Sequence, residues 1–171
     1  MTPILSLPQP SELARRARNV LGAPTTIRTS IHITRSVEQV FSYVTTSGNW
    51  PEWHPSSLAV RGVTSRPMGV GDKVVEDFQV AGRRGQVEWT VGECDPPKRW
   101  VIDGRIAGRA TGGIITYMLT PRDGGTLFER EFVYAIPNLV FLALDRLFFR
   151  HRVLAESAEA LRRLKRVLES S

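Results

Sequence analysis

Hydrophobic and polar residues alternate along most of the chain between Leu58 and Ile136. A period of two is typical of a strand that buries one face. Turn-forming residues interrupt the alternation at short intervals, and no interruption is long enough for a domain linker. The pattern predicts an antiparallel meander with strands over 58–65, 72–80, 85–94, 98–106, 111–121 and 125–136. The β-branched run from Thr26 to Thr34 predicts one more strand ahead of it.

Two short helices are predicted between this first strand and the meander. Ser36 and Gln39 have the spacing of a capping box, in which two side chains satisfy free backbone donors. The hydrophobic residues that follow at helical spacing are Val37, Val40, Phe41 and Val44. A second short turn is predicted over 49–55, with Trp50 and Trp53 as anchors and Pro55 as its end.

The residues after Pro137 predict one long helix. Its apolar stripe, at spacings of three, four and seven, consists of Leu144, Leu147, Leu154, Ala158, Leu161 and Leu168. Residues 139–149 are apolar nearly all round, so they are expected to cover more than one surface. Three alternatives fit these residues. They roof a cavity while their outer side meets a partner or a lipid surface as a peripheral membrane contact, they form a homodimer contact, or they pack under the first strand and the short helices.

Residues 11–22 predict a short basic helix ahead of the first strand, with Ser11 as its cap and Gly22 and Pro24 as stop signals. We expect residues 1–26 to form an N-terminal appendage and residues 27–171 to form one domain. The appendage is a lid, a dimer arm, a membrane-touching segment or a solvated extension.

Composition and charge narrow the possible functions. The chain has 171 residues, of which 42% are hydrophobic, and a net charge of +6. Residues 1–27 carry +2, residues 28–137 carry +1 and residues 138–171 carry +3, so the surplus lies at the two ends. No basic run is interleaved with aromatic residues, and we therefore expect no nucleic-acid partner.

Cysteine and histidine usage argues against a disulfide and a metal site. The single cysteine, Cys94, has no internal partner, and no Cys and His cluster has ligand spacing. No phosphate-binding glycine loop or nicotinamide fingerprint is present, so no cofactor is expected. The first residues do not read as a secretory signal, and the cytoplasm is the expected location.

Several short motifs, in this order and spacing, resemble a known superfamily. They are Ile31-His-Ile33, Val40-Phe41, Trp50-Pro-Glu-Trp53 with Pro55, Val70-Gly71, Asp95-Pro-Pro97, Gly125-Thr126 and Leu161-Arg-Arg-Leu-Lys165. Together they resemble the START-like (SRPBCC) helix-grip superfamily and its polyketide cyclase/dehydrase branch, from about Ile27 to Glu169. The resemblance implies an α+β helix-grip fold, in which a curved antiparallel sheet of about seven strands wraps around a long C-terminal helix.

The resemblance also implies a largely apolar cavity between sheet and helix for a lipid, polyketide, quinone or similar small molecule. Family members include cyclases, lipid carriers and hormone receptors, and they share no catalytic triad. The fold therefore does not by itself determine the function.

Strand parity predicts which side chains face that cavity. The apolar sets expected to face inward are Val74, Phe78 and Val80, then Val87, Trp89 and Val91, and then Trp100, Ile102 and Ile106. Glu76 shares the face of Phe78, which makes it an inward carboxylate candidate. His32 alternates away from its isoleucine neighbours and is expected outside the main apolar layer.

The dipeptide Asp123-Gly124 predicts a two-residue hairpin turn, which fixes the register of the strands beside it. The predicted inward pairs are Leu119 with Phe128, Tyr117 with Arg130, and Ile115 with Phe132. A buried Arg130 guanidinium requires a partner. A ligand anion or enolate supplies it, or Arg130 pairs with Glu76 or stacks on Tyr117.

The candidate catalytic residues are Glu76, Tyr117, Arg130 and His151, since a cyclase needs an acid or base and a donor to an enolate oxygen. His151 follows Leu147 by four residues and is expected on the helix stripe, as a proton shuttle or as a hydrogen-bonded core residue. His54 is expected to cap its loop rather than to do chemistry. The side chains expected to bind ligand are Phe78, Trp89, Trp100, Ile102, Ile115, Tyr117, Phe128, Arg130, Phe132, Leu147 and His151.

The sequence thus favours a domain that binds a small hydrophobic or amphipathic ligand between sheet and helix. One alternative is an aromatase/cyclase that uses the inward acid and base groups. A second alternative is a lipid-handling or regulatory module that contacts a membrane or a protein through its basic terminal helices.

Overall fold

The turn at Asp123 and Gly124 fixes the register of the last two strands. Their φ angles are 48° and 73°, the left-handed values that a two-residue hairpin requires if its twist is to match the sheet. Arg122 pairs with Gly125 across this turn. The three predicted pairs are confirmed: Leu119 with Phe128, Tyr117 with Arg130, and Ile115 with Phe132.

The computed structural model describes residues 25–80, 82–106, 113–134 and 150–170. Its strands are β1 (Thr25–Ile33), β2 (Ser57–Gly62), β3 (Lys73–Val80), β4 (Arg83–Asp95), β5 (Arg99–Ile106), β6 (Gly113–Arg122) and β7 (Gly125–Tyr134). Its helices are α1 (Val37–Thr45), α2 (Trp50–Trp53) and α3 (Arg150–Ser170), with a 3-10 turn at Ser47–Asn49.

The strands form one antiparallel sheet in the order β1-β7-β6-β5-β4-β3-β2. The meander from β2 to β7 follows the chain, and β1 joins it beside β7, so β1 and β2 are the two edges. The predicted α+β helix-grip fold is confirmed. Because β1 includes Thr25 and Thr26, the sheet begins two residues before the predicted boundary of the domain.

The helices pack on one face of the sheet, which we call the inner face. Val40 and Val44 of α1 are fully buried there, as the sequence pattern predicts. The capping box is confirmed, since Ser36 Oγ accepts from Gln39 N at 3.3 Å and Gln39 Oε1 accepts from Ser36 N at 3.2 Å. These two bonds satisfy donors at the start of α1 and fix where it begins.

The predicted face of the C-terminal helix is only partly right. Leu161 and Leu168 are buried, but Leu154 is 43% exposed and Ala158 is half-buried. The buried face instead consists of Val153, Ser157, Ala160, Leu161, Leu164 and Leu168. The prediction followed leucines, whereas small residues occupy the face where the helix lies close to the sheet. Leu144 and Leu147 lie outside the described residues.

No helix in the described part of the chain is long and apolar enough to cross a membrane.

Trp89 of β4 lies directly over Gly104, its partner in β5. A Cβ added at Gly104 would come within 2.5 Å of the Trp89 ring. We expect Gly104→Ala to lower the free energy of unfolding by about 1–3 kcal/mol, because a buried ring must move. The control Gly69→Ala, whose added Cβ would meet only Asp72 Oδ2 at 3.9 Å, should change it by less than about 0.5 kcal/mol. Urea denaturation measures both, and equal midpoints would contradict this packing.

Candidate functional site

A row of polar and aromatic side chains crosses the inner face of the sheet. Thr29 of β1 pairs with Arg130 of β7, Arg130 with Tyr117 of β6, and Tyr117 with Trp100 of β5. Arg130 is 5% exposed and Tyr117 is 3% exposed. The sheet register thus places a guanidinium and a phenol side by side within an otherwise apolar wall.

Arg130 has few contacts for a buried charge. Its Nη1 donates to Ser157 Oγ of α3 at 3.3 Å, and its guanidinium carbon lies 5.5 Å from the centre of the Phe132 ring. Its Nε is buried without a hydrogen-bond partner. Among the described residues no carboxylate lies within 4.0 Å of it. The predicted ion pair with Glu76 is therefore not formed, although the two charges do act on each other.

Aromatic rings hold Tyr117 in place. Its ring stacks on Trp100 at 5.3 Å and meets the edge of Phe128 at 5.1 Å between ring centres. Trp53 of α2 lies 6.4 Å away on another side. Burial raises the pKa of Tyr117 to about 12, and the charge of Arg130 opposes that rise. Tyr117 is therefore a neutral phenol at physiological pH.

Glu76 of β3 belongs to the same interior. Its Oε2 accepts a hydrogen bond from Trp89 Nε1 at 2.7 Å. Burial raises the pKa of this carboxyl, while the Ser57 hydroxyl, the Trp89 indole and the charge of Arg130 act in the opposite direction. The inward position that strand parity predicts for Glu76 agrees with these contacts.

His54 is a member of this group that the sequence reasoning assigned to loop capping. It ends α2 in an extended backbone conformation, φ −98° and ψ 109°, which is typical of a residue before proline. The residue as a whole is half-buried, but both ring nitrogens are buried and have no hydrogen-bond partner. Burial, and then the charge of Arg130, lowers the pKa of His54 to about 3. In the sequence, only the following Pro55 indicated the extended backbone of His54.

Other buried polar atoms in this region also have no hydrogen-bond partner in the protein. Together with those of Arg130 and His54 we call them the orphan set: Thr29 Oγ1, Trp53 Nε1, His54 Nδ1 and Nε2, Ser57 Oγ, and Arg130 Nε. Most buried polar groups in folded proteins are paired, and each exception calls for an explanation. Ser57 N donates a hydrogen bond to His54 O at 3.0 Å where the loop enters β2. This backbone bond keeps the loop residue His54 close to the strand residue Ser57.

Most of the predicted ligand-binding side chains do lie on the inner face. Trp89, Trp100, Ile102, Ile115, Tyr117 and Phe128 belong to the buried core, and Phe78 and Phe132 pack against it partly exposed. The expected inward position of His151 is wrong, because it is exposed on α3. The buried face of that helix includes Val153 and Ser157. His151 does not lie on this face. Leu147 lies outside the described residues.

Two further residues lie away from the orphan set. His32 Nε2 hydrogen-bonds to Arg122 O at 2.9 Å, at the hairpin end of the sheet. Cys94 is half-buried, and burial raises the pKa of its thiol, so it is a weak nucleophile. In the ranges that the structure describes, no group of three or more acidic, His or Cys side chains is placed to hold a metal ion.

The described residues form one wall of the interior. The segment 139–149, for which roofing a cavity was one of the alternatives, lies outside them, and the enclosed cavity stays a prediction. Two of the depressions outlined by described residues are open grooves on the outside, and one of them, of about 460 Å³, lies beside Tyr43, Asn49 and Leu168. Neither of these grooves contains Arg130 or His54.

The fold is similar to that of many solved structures. Protein TTHA0849 from Thermus thermophilus superposes with a TM-score of 0.72 at 14% identity, over 85% of this chain and 98% of that one. The Aha1 dimer from Colwellia psychrerythraea gives 0.61 at 20% identity, over 85% and 96%. DynU16, from the dynemicin biosynthetic locus, gives 0.59 at 18% identity, over 84% of this chain and 47% of that one. At these identities the likeness shows the fold alone.

A comparison with curated proteins finds no significant sequence match. The family described as polyketide cyclase / dehydrase and lipid transport does match, over residues 24–169. This match covers the whole sheet and nearly all of α3. The chain is therefore a member of the polyketide cyclase / dehydrase and lipid transport family.

Proposed function

We propose that this protein binds a small amphipathic molecule whose apolar body lies against the inner face and whose oxygen atoms contact Arg130. The observation that carries this proposal is the buried Arg130 side chain, which has no carboxylate partner among the described residues and a free Nε. Moving a charge out of water is costly unless it is paired and hydrogen-bonded. A ligand oxygen would offset that cost.

The orphan set indicates which ligand chemistry fits. Arg130 Nε and Trp53 Nε1 can only donate hydrogen bonds. The Ser57 hydroxyl already interacts with the Glu76 carboxyl. A neutral His54 has one donor and one acceptor nitrogen. A head group that offers acceptor oxygens, such as a carboxylate, a ketone or an enolate, matches this inventory better than an ammonium group does.

The apolar part of the ligand would supply most of the affinity. The wall around Arg130 consists of large apolar side chains: Trp100, Ile102, Ile115, Phe128 and Phe132. Burial of apolar surface contributes about 25 cal/mol per Å². A few oriented polar groups in such a wall determine the position of a ligand, and the apolar contacts determine most of its affinity.

A second candidate function is catalysis of proton transfer at a carbon beside carbonyl groups. It is favoured by one observation: Glu76, Tyr117 and His54 all interact electrostatically with Arg130. In this reaction Glu76 removes a proton from the carbon, and the electron pair moves to the carbonyl oxygen. The enolate oxygen then lies at Arg130. Such a step begins the ring closure of a polyketone.

Replacement of the central charge tests ligand recognition. We expect the wild type to bind a long-chain fluorescent fatty acid at least about tenfold more tightly than its methyl ester, because only the carboxylate forms charge-assisted bonds. Arg130→Met should abolish this preference and still bind the ester. Arg122→Met removes an arginine that is 62% exposed and should keep the preference. Fluorescence titration measures all of these, and a retained preference in Arg130→Met contradicts the assignment.

The ionisation state of His54 can be tested through stability. Its pKa is about 3 in the folded protein, against an ordinary value of 6.5, so between these values the unfolded chain binds the extra proton. Stability should therefore fall as the pH falls from 6.5 towards 3, by at most about 1.4 kcal/mol per pH unit. Denaturant unfolding of His54→Gln should lack this contribution. Parallel pH profiles for the two proteins would show that His54 is not held neutral.

Isotope exchange separates a binder from an enzyme. For the second candidate we expect the protein to accelerate deuterium uptake at the central carbon of a long-chain 1,3-diketone in D₂O, followed by NMR. Glu76→Gln should reduce this acceleration at least about a hundredfold, while the matched outer-face variant Glu129→Gln should not. A wild type that binds the diketone without accelerating exchange is a binder only.

A further inference from the structure

The imidazole ring of His54 is buried without a hydrogen bond, although the main chain of the same residue is fully bonded. His54 N donates to Trp50 O at 2.8 Å, and His54 O accepts from Ser57 N at 3.0 Å. Neither Nδ1 nor Nε2 of the ring has a hydrogen-bond partner among the described residues. The loop therefore depends on the backbone of His54, and the two ring nitrogens contribute no hydrogen bond to its structure.

The loop around His54 is anchored to three elements. Ser56 Oγ donates to Glu156 Oε2 of α3 at 2.8 Å, and Gln79 N of β3 donates to Ser56 O at 2.9 Å. The His54 ring packs edge-on against the Trp53 ring of α2, with 5.5 Å between ring centres. The burial of the ring thus follows from the packing of the loop. Because burial of an unpaired polar group is unfavourable, the ring calls for a partner from outside the loop.

A neutral imidazole needs two different kinds of partner. Burial, and then the charge of Arg130, lowers the pKa of His54 to about 3, so the ring is neutral at physiological pH. One nitrogen then carries a proton, and the other is a bare acceptor. An acceptor oxygen can bond to the first nitrogen, whereas only a donor group can bond to the second.

A hydroxyl group meets this requirement best. A carboxylate or a ketone offers only acceptor atoms, so it would leave the bare nitrogen of His54 unpaired. An ammonium group can donate, but the charge of Arg130 acts on this position and disfavours a second cation there. A hydroxyl is uncharged, donates one hydrogen bond and also accepts. Its oxygen can therefore accept from a neighbouring donor such as Trp53 Nε1, which is also unbonded.

One elongated molecule can contact both His54 and Arg130. The His54 ring adjoins the Trp53 ring, and the Trp53 ring lies 6.4 Å from the Tyr117 ring. Tyr117 is in turn the strand partner of Arg130. A ligand that lies along these rings meets an acceptor nitrogen at one end and a guanidinium at the other.

We propose that the ligand is a hydroxylated long-chain acid, whose hydroxyl donates a hydrogen bond to the bare ring nitrogen of His54 while its carboxylate contacts Arg130. This inference rests on the proposed function and adds the class of ligand, a hydroxy acid rather than a plain fatty acid. His54 is then a residue that determines specificity, because it distinguishes a hydroxyl from a ketone at the same carbon.

Competition between matched ligands tests the hydroxyl. The competitors of a long-chain fluorescent fatty acid are hydroxyoctadecanoic acids with the hydroxyl at successive carbons, each paired with the oxo acid that has a ketone at the same carbon. At one position or two adjacent ones, we expect the wild type to bind the hydroxy acid at least about tenfold more tightly, because a ketone has no proton to donate. Equal affinities at every position would overturn the proposal, since water would then serve His54 equally well.

A variant without ring nitrogens tests the role of His54. His54→Phe keeps a planar ring and should abolish the preference for the hydroxy acid over the oxo acid. The matched control His151→Phe changes a histidine that is exposed on α3 and should keep the preference. A preference that persists in His54→Phe would assign the hydroxyl to another residue and overturn the proposal.

The ¹⁵N NMR signals of the histidine rings give a second readout that needs no variant to fold. The chain has three histidines. On addition of the preferred hydroxy acid, we expect the signal of the bare His54 nitrogen to move upfield, as it does when such a nitrogen accepts a hydrogen bond. The matched oxo acid should not move it. An unchanged His54 signal in the protein saturated with the hydroxy acid would contradict the proposal.

The proposed function and this inference fail in different ways. If octadecanoic acid and its methyl ester compete equally with the probe, the recognition of a carboxylate by Arg130 is wrong, and the inference is overturned with it. If the acid is preferred over the ester while hydroxy and oxo acids compete equally, only the hydroxyl assignment to His54 is overturned.

Discussion

The strand register set at the Asp123–Gly124 turn is the constraint on which the interior depends. Because side chains alternate along a strand, a slip of one residue would move Arg130 to the outer face and Glu129 to the inner face. The left-handed backbone at both turn residues permits the short connection that excludes the slip. Every contact of Arg130 with α3, Phe132 and the aromatic row follows from that register.

The interior combines strong apolar packing with polar groups that the fold leaves incompletely bonded. Tyr117 is enclosed by Trp53, Trp100 and Phe128, and its hydroxyl also interacts with Arg130. Burial, and after it the Arg130 guanidinium, lowers the pKa of His54, and the same guanidinium opposes the rise that burial causes in the pKa of Tyr117 and of Glu76. One charge thus couples the ionisation of three side chains that are distant in sequence, an arrangement typical of binding and catalytic sites.

Both faces of the sheet contain buried residues. Helices α1, α2 and α3 close the inner face, and small residues such as Ser157 and Ala160 let α3 approach it. On the outer face Val101 and Val133 are buried as well, at 0% and 1% exposure. On both faces, strand parity predicts which residues share a face. The exposed fraction of each side chain is then needed to tell whether that face is covered or in contact with water.

The elements that depend on local rules could be predicted from the residues alone. Period-two alternation gave the strands, the Ser36–Gln39 capping box gave the start of α1, and Asp123-Gly124 gave the register that places Tyr117 beside Arg130. It also gave the family resemblance, which depends on the order of short motifs. These signals act within a few residues of each other, so no tertiary information is needed to read them.

The buried face of α3 and the desolvation of His54 depend on several elements at once, and they could be read only from the tertiary structure. Leucine spacing placed His151 and Leu154 on the buried face of α3, but packing against the sheet turned that face towards Val153, Ser157 and Ala160. Both His54 ring nitrogens are buried, and no local sequence pattern encodes that burial. A helix face and a desolvated side chain are set by what packs against them, and the sequence near a residue does not contain its distant neighbours.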